Sequence, residues 1–371
     1  MKIMCMRSLK VLAFLSFSVL SAFGQGAKGG QVTVVDDASG EPLCKANVFT
    51  QTGMILGMTD GLGRVYGVKE HDWPLTVKYL GYNTATATSA GETVRMAPVA
   101  YGLPEVVFKP TDRPVLRVRC YIRNYISNVA GTDTTIVYKE YWTDHYLPMQ
   151  KVKHFKKSGD MKILSSRSYC RKAKQGRNDS VYVAKNGESA SLPLSVLFDE
   201  NPLGKMDVTE PSSFRHGAVT DSVMGKYGMR TLYRRNATSY ITHTDLLSDR
   251  KSHRYKPSLL SLFGLTAEFT QYQTSFAYRV NNEGVYTPYD LLYGTVSLDL
   301  WATGKNWKHI TGSDKPQLMK YYLEIYPAEY EALTVEEAKE YMKNPPALSR
   351  ELPRDVPPLL PAIQQIVDRA R

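Results

Sequence analysis

Apolar residues fall at every second position through long stretches of this chain, and that period limits what it can build. Across residues 116–125, Leu116, Val118, Cys120 and Ile122 point one way, and Arg117, Arg119, Tyr121 and Arg123 the other. A period of two puts alternate side chains on opposite faces of a β-strand, whereas an amphipathic helix needs a period near 3.6. The pattern predicts a half-buried strand with a cationic outer face. Shorter versions begin at Gly30: QVTVVDD, ANVFT, MILGM, RVYGV, LTVKYLGY and ETVRMAP, separated by turn residues at 37–42, 59–63, 70–74 and 89–91. Short alternating strands at this regular spacing predict an all-β sandwich over residues 25–108.

One stretch argues superficially for a different fold. In MTDGLGRVYGV, residues 58–68, the glycines are spaced like a phosphate-cradling loop. Such a loop must open a helix whose N-terminus faces the phosphate. Here Arg64-Val65-Tyr66-Gly67-Val68 follows, a strand pattern, with Pro74 soon after. Thr59, Asp60, Gly61 and Gly63 therefore predict a hairpin turn, with positive φ at the two glycines.

Residues 109–116, with two prolines, read as a linker, and residues 117–345 as a second, larger β-rich domain with a few helices. Strands are expected at 134–148, 230–242, 266–278, 291–301 and 319–326, and a hairpin turn at Asn281-Asn282-Glu283-Gly284. Thr334 and Glu337 have the spacing of a capping box, and Pro345 and Pro346 close that helix. The tail, 346–371, is Pro-rich and carries an apolar stripe at Leu360, Ile363, Ile366 and Val367. The fold class is mainly β. A proline-rich linker and a sandwich that closes its own core predict that the second domain folds without the first.

Residues 1–24 read as a signal peptide. Lys2, Arg7 and Lys10 precede an apolar run of thirteen residues, 11–23, short for a membrane span. Ser21 and Gly24 suit cleavage before Gln25; the alternative is an N-terminal anchor. Cys5 precedes the apolar run, which argues against lipidation. The mature chain is expected to be exported, to the periplasm, the outer membrane or the cell surface, with no transmembrane helix. Its three cysteines, Cys44, Cys120 and Cys170, allow one disulfide, Cys120 to Cys170, or three free thiols.

The formal net charge of +11 is uneven: residues 151–177 hold ten Lys or Arg against Asp160 alone. Lys151, Lys153, Lys156, Lys157, Arg171, Lys172 and Lys174 are the candidate contacts for an anionic partner, a glycan or lipid headgroups. The alternative is a solvated strand edge whose lysines discourage aggregation. In an exported chain nucleic acid is the partner least suited. The seven histidines form no H-E-x-x-H, no H-x-H and no Cys/His knuckle, and there is no G-x-S-x-G elbow. His243 and Asp245 share a strand face and read as a surface pair. Glu140 and Asp144 would lie roughly 13 Å apart along a strand, too far for paired acid–base work. No catalytic, cofactor-binding or metal-ligating residue is nominated. The tyrosines, 25 in all, suit either sugar recognition or a sheet core.

Several motifs in combination carry a family resemblance. Gly30-Gln31-Val32, Asp36, Ser39-Gly40-Glu41-Pro42-Leu43 and Ala46-Asn47-Val48 resemble the opening of a carboxypeptidase regulatory-like domain. Thr59-Asp60, Gly63 and Tyr66 resemble its T-D-x-x-G-x-[FY] hairpin, and Leu80-Gly81-Tyr82 its strand end. Leu103-Pro104-Glu105-Val106-Val107 resembles an exit segment of exported Bacteroidetes proteins. The resemblance spans residues 29–108 and implies a seven-stranded transthyretin-like sandwich that acts as an accessory and has no peptidase site. The remainder loosely resembles an uncharacterised β-rich envelope domain through Tyr138, Glu140, Asp144, Tyr146 and Pro148. The expectation is a non-catalytic cell-envelope protein that contacts a glycan or an outer-membrane partner. The alternatives are an envelope hydrolase with an unrecognised site in 117–345, or an accessory of an outer-membrane uptake or assembly complex.

Overall fold

A computed structural model of the chain describes residues 29–99, 112–153, 155, 159–174, 179–184, 203, 208–224, 230–236, 239–248, 253–256, 261–348, 351–353 and 356–371. The expected signal peptide, the exit segment at 103–107, linker residues 109–111, Lys156 and Lys157 lie outside the described residues. The protein is mainly β, as the alternation requires.

The first seven strands are β1 (Gly30–Asp36), β2 (Asn47–Phe49), β3 (Ile55–Met58), β4 (Arg64–Val68), β5 (Leu75–Lys78), β6 (Ala85–Ala87) and β7 (Thr93–Met96). They form two sheets, ordered β4-β1-β7 and β3-β2-β5-β6. Val32, Val34, Leu43, Val48, Leu75 and Val77 are fully buried between them. The glycine stretch is the turn between β3 and β4. Asp60 accepts from the backbone N–H of Leu62 and Arg64, each at 2.9 Å. Gly63 has φ +71°, and a Cβ there would collide with the Val34 carbonyl. Gly61 does not share that conformation, because the Asp60 side chain already organises its half of the turn.

A ten-stranded antiparallel sheet makes up most of the rest. Its strands are β8 (Val115–Ala130), β9 (Asp133–Pro148), β10 (Asp160–Ala173), β11 (Ser180–Val183), β13 (Thr220–Met224), β14 (Arg230–Arg235), β15 (Ser239–Asp245), β16 (Thr266–Arg279), β18 (Leu291–Thr303) and β19 (Gln317–Leu333). The order is β11-β10-β9-β8-β19-β18-β16-β15-β14-β13. β12 (Val208–Thr209) pairs separately with β17 (Val285–Tyr286). Three details differ from the sequence reading. Val115 and Leu116 belong to β8, so the linker ends earlier. Residues 230–242 are two strands, β14 and β15, paired with each other. The basic segment contains β10, whose pairing with β9 runs from Asp160–Tyr146 to Ala173–Thr134.

The larger correction concerns the outer face of β8. Its cationic side is buried: Arg117, Arg119 and Arg123 are 5%, 2% and 4% exposed. The sandwich sits on it. Tyr121, Trp142, Ile241, Ala277, Leu292, Tyr293 and Tyr326 of the large sheet share one apolar cluster with the sandwich core. The apolar cluster of the sandwich therefore runs on into the large sheet, and the expectation that the second domain folds alone has to reckon with that shared interface. Short helices complete the cover. α1 (Trp307–Thr311) buries Trp307. α2 (Val335–Lys343) begins at the expected capping box: Glu337 accepts from the Thr334 backbone at 2.8 Å, and Thr334 Oγ1 accepts from the Glu337 backbone at 3.2 Å. α3 (Pro361–Ala370) packs Ile363, Ile366 and Val367 against Phe49, Tyr125, Tyr138 and Tyr169, so the tail docks on the body.

All three cysteines are free. Cys120 on β8 and Cys170 on β10 are separated by β9, and Cys170 is in register with Val137 and, through it, Ile126. That leaves them roughly 20 Å apart along the strands, beyond disulfide reach.

Candidate functional site

A set of buried polar side chains lies where the sandwich meets the large sheet. The segment that seats it is Lys78-Tyr79-Leu80-Gly81-Tyr82, at the end of β5. Lys78, 4% exposed, forms a buried ion pair with Glu324 on β19, and Tyr125 donates to the same carboxylate at 3.1 Å. Burial would raise the Glu324 pKa, but Lys78 and Arg123 outweigh it and hold the carboxyl below its usual range. Burial pulls the Lys78 ammonium down, with Glu324 opposing. Two charges in so dry a place persist only as a pair.

The next residues continue the contact. Tyr79 Oη meets His243 Nε2 at 2.8 Å, and His243 Nδ1 meets Ser275 Oγ at 2.8 Å. Gly81, φ +82°, donates its N–H to Tyr293 Oη and packs on Ile241; a Cβ there would lie 3.0 Å from Ile241 Cδ1. Tyr82 donates to Asp36 at 2.6 Å and accepts from Arg234 Nε at 3.2 Å. Arg234 also pairs with Asp36 at 3.6 Å and Glu41 at 3.3 Å. Burial and the bond to Asp36 push the Tyr82 hydroxyl up to about 12. Four docking contacts thus follow from one pentapeptide, to Glu324, His243, Tyr293 and Arg234, and three of its residues, Leu80-Gly81-Tyr82, are the strand-end motif singled out in the sequence.

Beyond the sandwich edge the charged face of β8 meets two other partners. Arg119 grips Asp144 with Nε at 2.7 Å and Nη2 at 2.9 Å, a bidentate pair with no exposed carboxylate surface. Arg117 reaches Asp144, Glu329 and Glu331 at 3.5, 3.1 and 2.7 Å. The C-terminal segment accepts from two of the arginines: Arg119 donates to the carbonyls of Pro346 and Ala347, Arg123 to that of Pro357. Those residues lie between the helices ending at Lys343 and starting at Pro361, so their carbonyls have no helical partner and accept from the arginines.

This placement settles where the sequence candidates lie. Glu140 and Asp144 share a face of β9 but have separate partners, Tyr121 at 2.8 Å for Glu140 and the arginines for Asp144. His243 is not a surface residue: it is 4% exposed, and burial drives its pKa down to about 3. The Ser275–His243 contact has the reach of a nucleophile and base. A neutral imidazole held at both nitrogens beneath a packed module instead acts as a fixed hydrogen-bond bridge. Among the described residues no group of three or more His, Cys, Asp or Glu could hold a metal ion.

The basic segment does not form one patch. Lys151 and Lys153 follow β9 at one end of the sheet, while Arg171, Lys172 and Lys174 lie at the far end of β10. The stretch of β10 from Asp160 to Cys170 separates Lys153 from Arg171, roughly 35 Å along the strand. Arg171 is committed to Asp179 at 2.7 Å, and Lys172 lies 5.6 Å over the Tyr182 ring. The sequence concealed the docking role of Lys78, His243 and Glu324. A lysine in an otherwise apolar strand was the available signal for the first.

No protein-family model matches the chain, and no curated protein matches it. Among solved structures, one reported under the words "Lipid-protein interactions in lipovitellin" is similar over 66% of this chain, at 10% identity and a TM-score of 0.30. The chain covers 27% of that protein's own length. A likeness at that score assigns this chain to no family.

Proposed function

We propose that this chain is an exported, non-catalytic protein of the cell envelope. In it the sandwich serves as an accessory module locked onto a large sheet, whose ends and edges meet a glycan or an outer-membrane partner. The observation that carries the reading is the fate of the reactive side chains. His243, Ser275, Lys78, Glu324, Arg119 and Asp144 are all held in closed pairs under the sandwich or the tail. The resemblance of residues 29–108 to regulatory-like accessory modules supports the same role.

The test has two parts. Cell fractionation should find the chain in the envelope, and crosslinking there should capture a defined glycan or membrane-protein partner. A purified chain that hydrolyses a polysaccharide, and loses that activity in Glu140→Gln, would replace this reading with an envelope hydrolase. Stable co-purification with a channel would favour an accessory of an uptake or assembly complex.

A further inference from the structure

At one end of the ten-stranded sheet, an apolar tip stands among lysines. Strand register gathers there the start of β16 at Thr266, the end of β18 at Thr303, the start of β19 at Gln317, the β8–β9 turn and the end of β10 at Ala173. Immediately before β16, Leu262 and Phe263 are 78% and 64% exposed, the two most exposed of the large apolar side chains among the described residues. The tip is built into the fold. Asn306 donates through Nδ2 to the Phe263 carbonyl at 2.8 Å. Beneath it, buried Trp307 donates to the Thr266 carbonyl at 3.0 Å.

That bond ties Leu262 and Phe263 to a turn rich in cations. Lys305 and Lys308 flank Asn306 and are exposed; Lys315, just before β19, and Lys174, just after β10, are exposed on the same rim. β16 and β10 are five strand spacings apart in the sheet order, about 24 Å, a span that covers several lipid headgroups. The acids in these turns are Asp133 and Asp314, and Asp179 is already paired with Arg171. The rim is therefore net positive around an apolar crest.

We propose that this end of the sheet docks on an anionic lipid surface. Leu262 and Phe263 enter the boundary between headgroups and acyl chains, and Lys174, Lys305, Lys308 and Lys315 meet lipid phosphates. Interfacial binding of useful strength takes two signals, buried apolar area and charge attraction, and the rim supplies both within one surface. The apolar side chains crest a turn and do not line a groove, which fits a deformable lipid phase. An anionic glycan would use the lysines and leave Leu262 in water.

The test is vesicle co-sedimentation of the chain from Gln25 onward, so that the apolar leader does not itself partition. Vesicles of phosphatidylcholine with phosphatidylglycerol should bind it, pure phosphatidylcholine at least about tenfold less, and high salt should weaken the difference. Leu262→Ser with Phe263→Ser should lower partitioning about tenfold or more, with the thermal melt unchanged because both side chains are exposed. Lys305→Gln with Lys308→Gln should lower it roughly tenfold. Leu62→Ser, an equally surface-borne change at the sandwich hairpin, should leave it unaltered. Equal binding to neutral and anionic vesicles would overturn the proposal. So would a Leu262/Phe263 variant that binds as the parent does, or heparin binding that displaces vesicles and ignores that variant, which would assign the rim to a glycan. The inference does not rest on the envelope reading: vesicles report on the purified chain, fractionation on its place in the cell.

Discussion

The two faces of β8 are buried alike and built from opposite materials. One carries Leu116, Val118, Cys120, Ile122 and Ile126, interrupted by Asn124 and Asn128; the other carries Arg117, Arg119, Tyr121, Arg123 and Tyr125. An apolar face accepts any cover that excludes water at native density. A face of arginines and tyrosines accepts only a cover that supplies the right acceptors in the right places. The sandwich, the acids of β9 and β19, and the tail carbonyls are that cover. The contrast assigns bulk stability to the first face and choice of partner to the second.

The strongest way to break this comparison is to remove the cover. A chain lacking residues 25–108 would uncover Tyr121, Trp142, Tyr293 and Tyr326 and take Tyr79 from His243 and Lys78 from buried Glu324. It should lose its cooperative thermal melt by circular dichroism. A sharp melt near the parent's temperature would show that the polar face needs no lid.

Next come single substitutions on the two faces. Asp144→Ala removes the bidentate partner of buried Arg119, while Arg117 keeps Glu329 and Glu331, and should destabilise by about 3–5 kcal/mol. Replacing Arg119 and Asp144 together by Met and Leu should recover most of that loss, because no lone charge remains. On the other face Ile122→Ala should cost about 2–5 kcal/mol as a cavity, with no partner change able to repair it. Denaturant unfolding of the four chains separates the two behaviours.

A third, smaller effect is set by pH. The unfolded chain protonates His243 near its ordinary value of 6.5, whereas the folded chain resists until about 3. Between those values the unfolded state binds more protons, so the stability contributed by neutral His243 is complete above 6.5 and is lost as pH falls. The slope approaches about 1.4 kcal/mol per pH unit in that window. His243→Gln should flatten the curve of stability against pH there, and an unchanged slope would assign it to other groups. The mildest test is Gly81→Ala, which strains a positive φ and crowds Ile241. It should cost about 1–3 kcal/mol, while Gly40→Ala, at an open turn, should cost about 1.

What the sequence made legible follows from how far each cause lies along the chain. Strand periodicity is local, so most of the long strands could be read from their own residues. The outward direction of β8 could not, because Glu324, Glu329 and the Pro357 carbonyl come some 200 residues later. Lys151, Lys153, Arg171, Lys172 and Lys174 are close in sequence, yet one extended strand carries the first two and the last three to opposite ends of a sheet. His243 and Asp245 do share a face, as their spacing requires; only the sandwich above that face decides which of them is dry. The Leu262–Phe263 tip carries no periodic pattern, so only its exposure marks it.

The pairing of β8 with β19 has a consequence in time. The sandwich can close its short, local strand pairs once its first hundred residues exist, but β8 must wait for a neighbour nearly two hundred residues downstream. Contacts of such long range make folding slow. During that wait the tyrosine- and arginine-rich ribbon has one finished surface to rest on, the docking segment at the end of β5. A module that looks like an appendage in the completed molecule is then the template on which the rest of the chain is sorted.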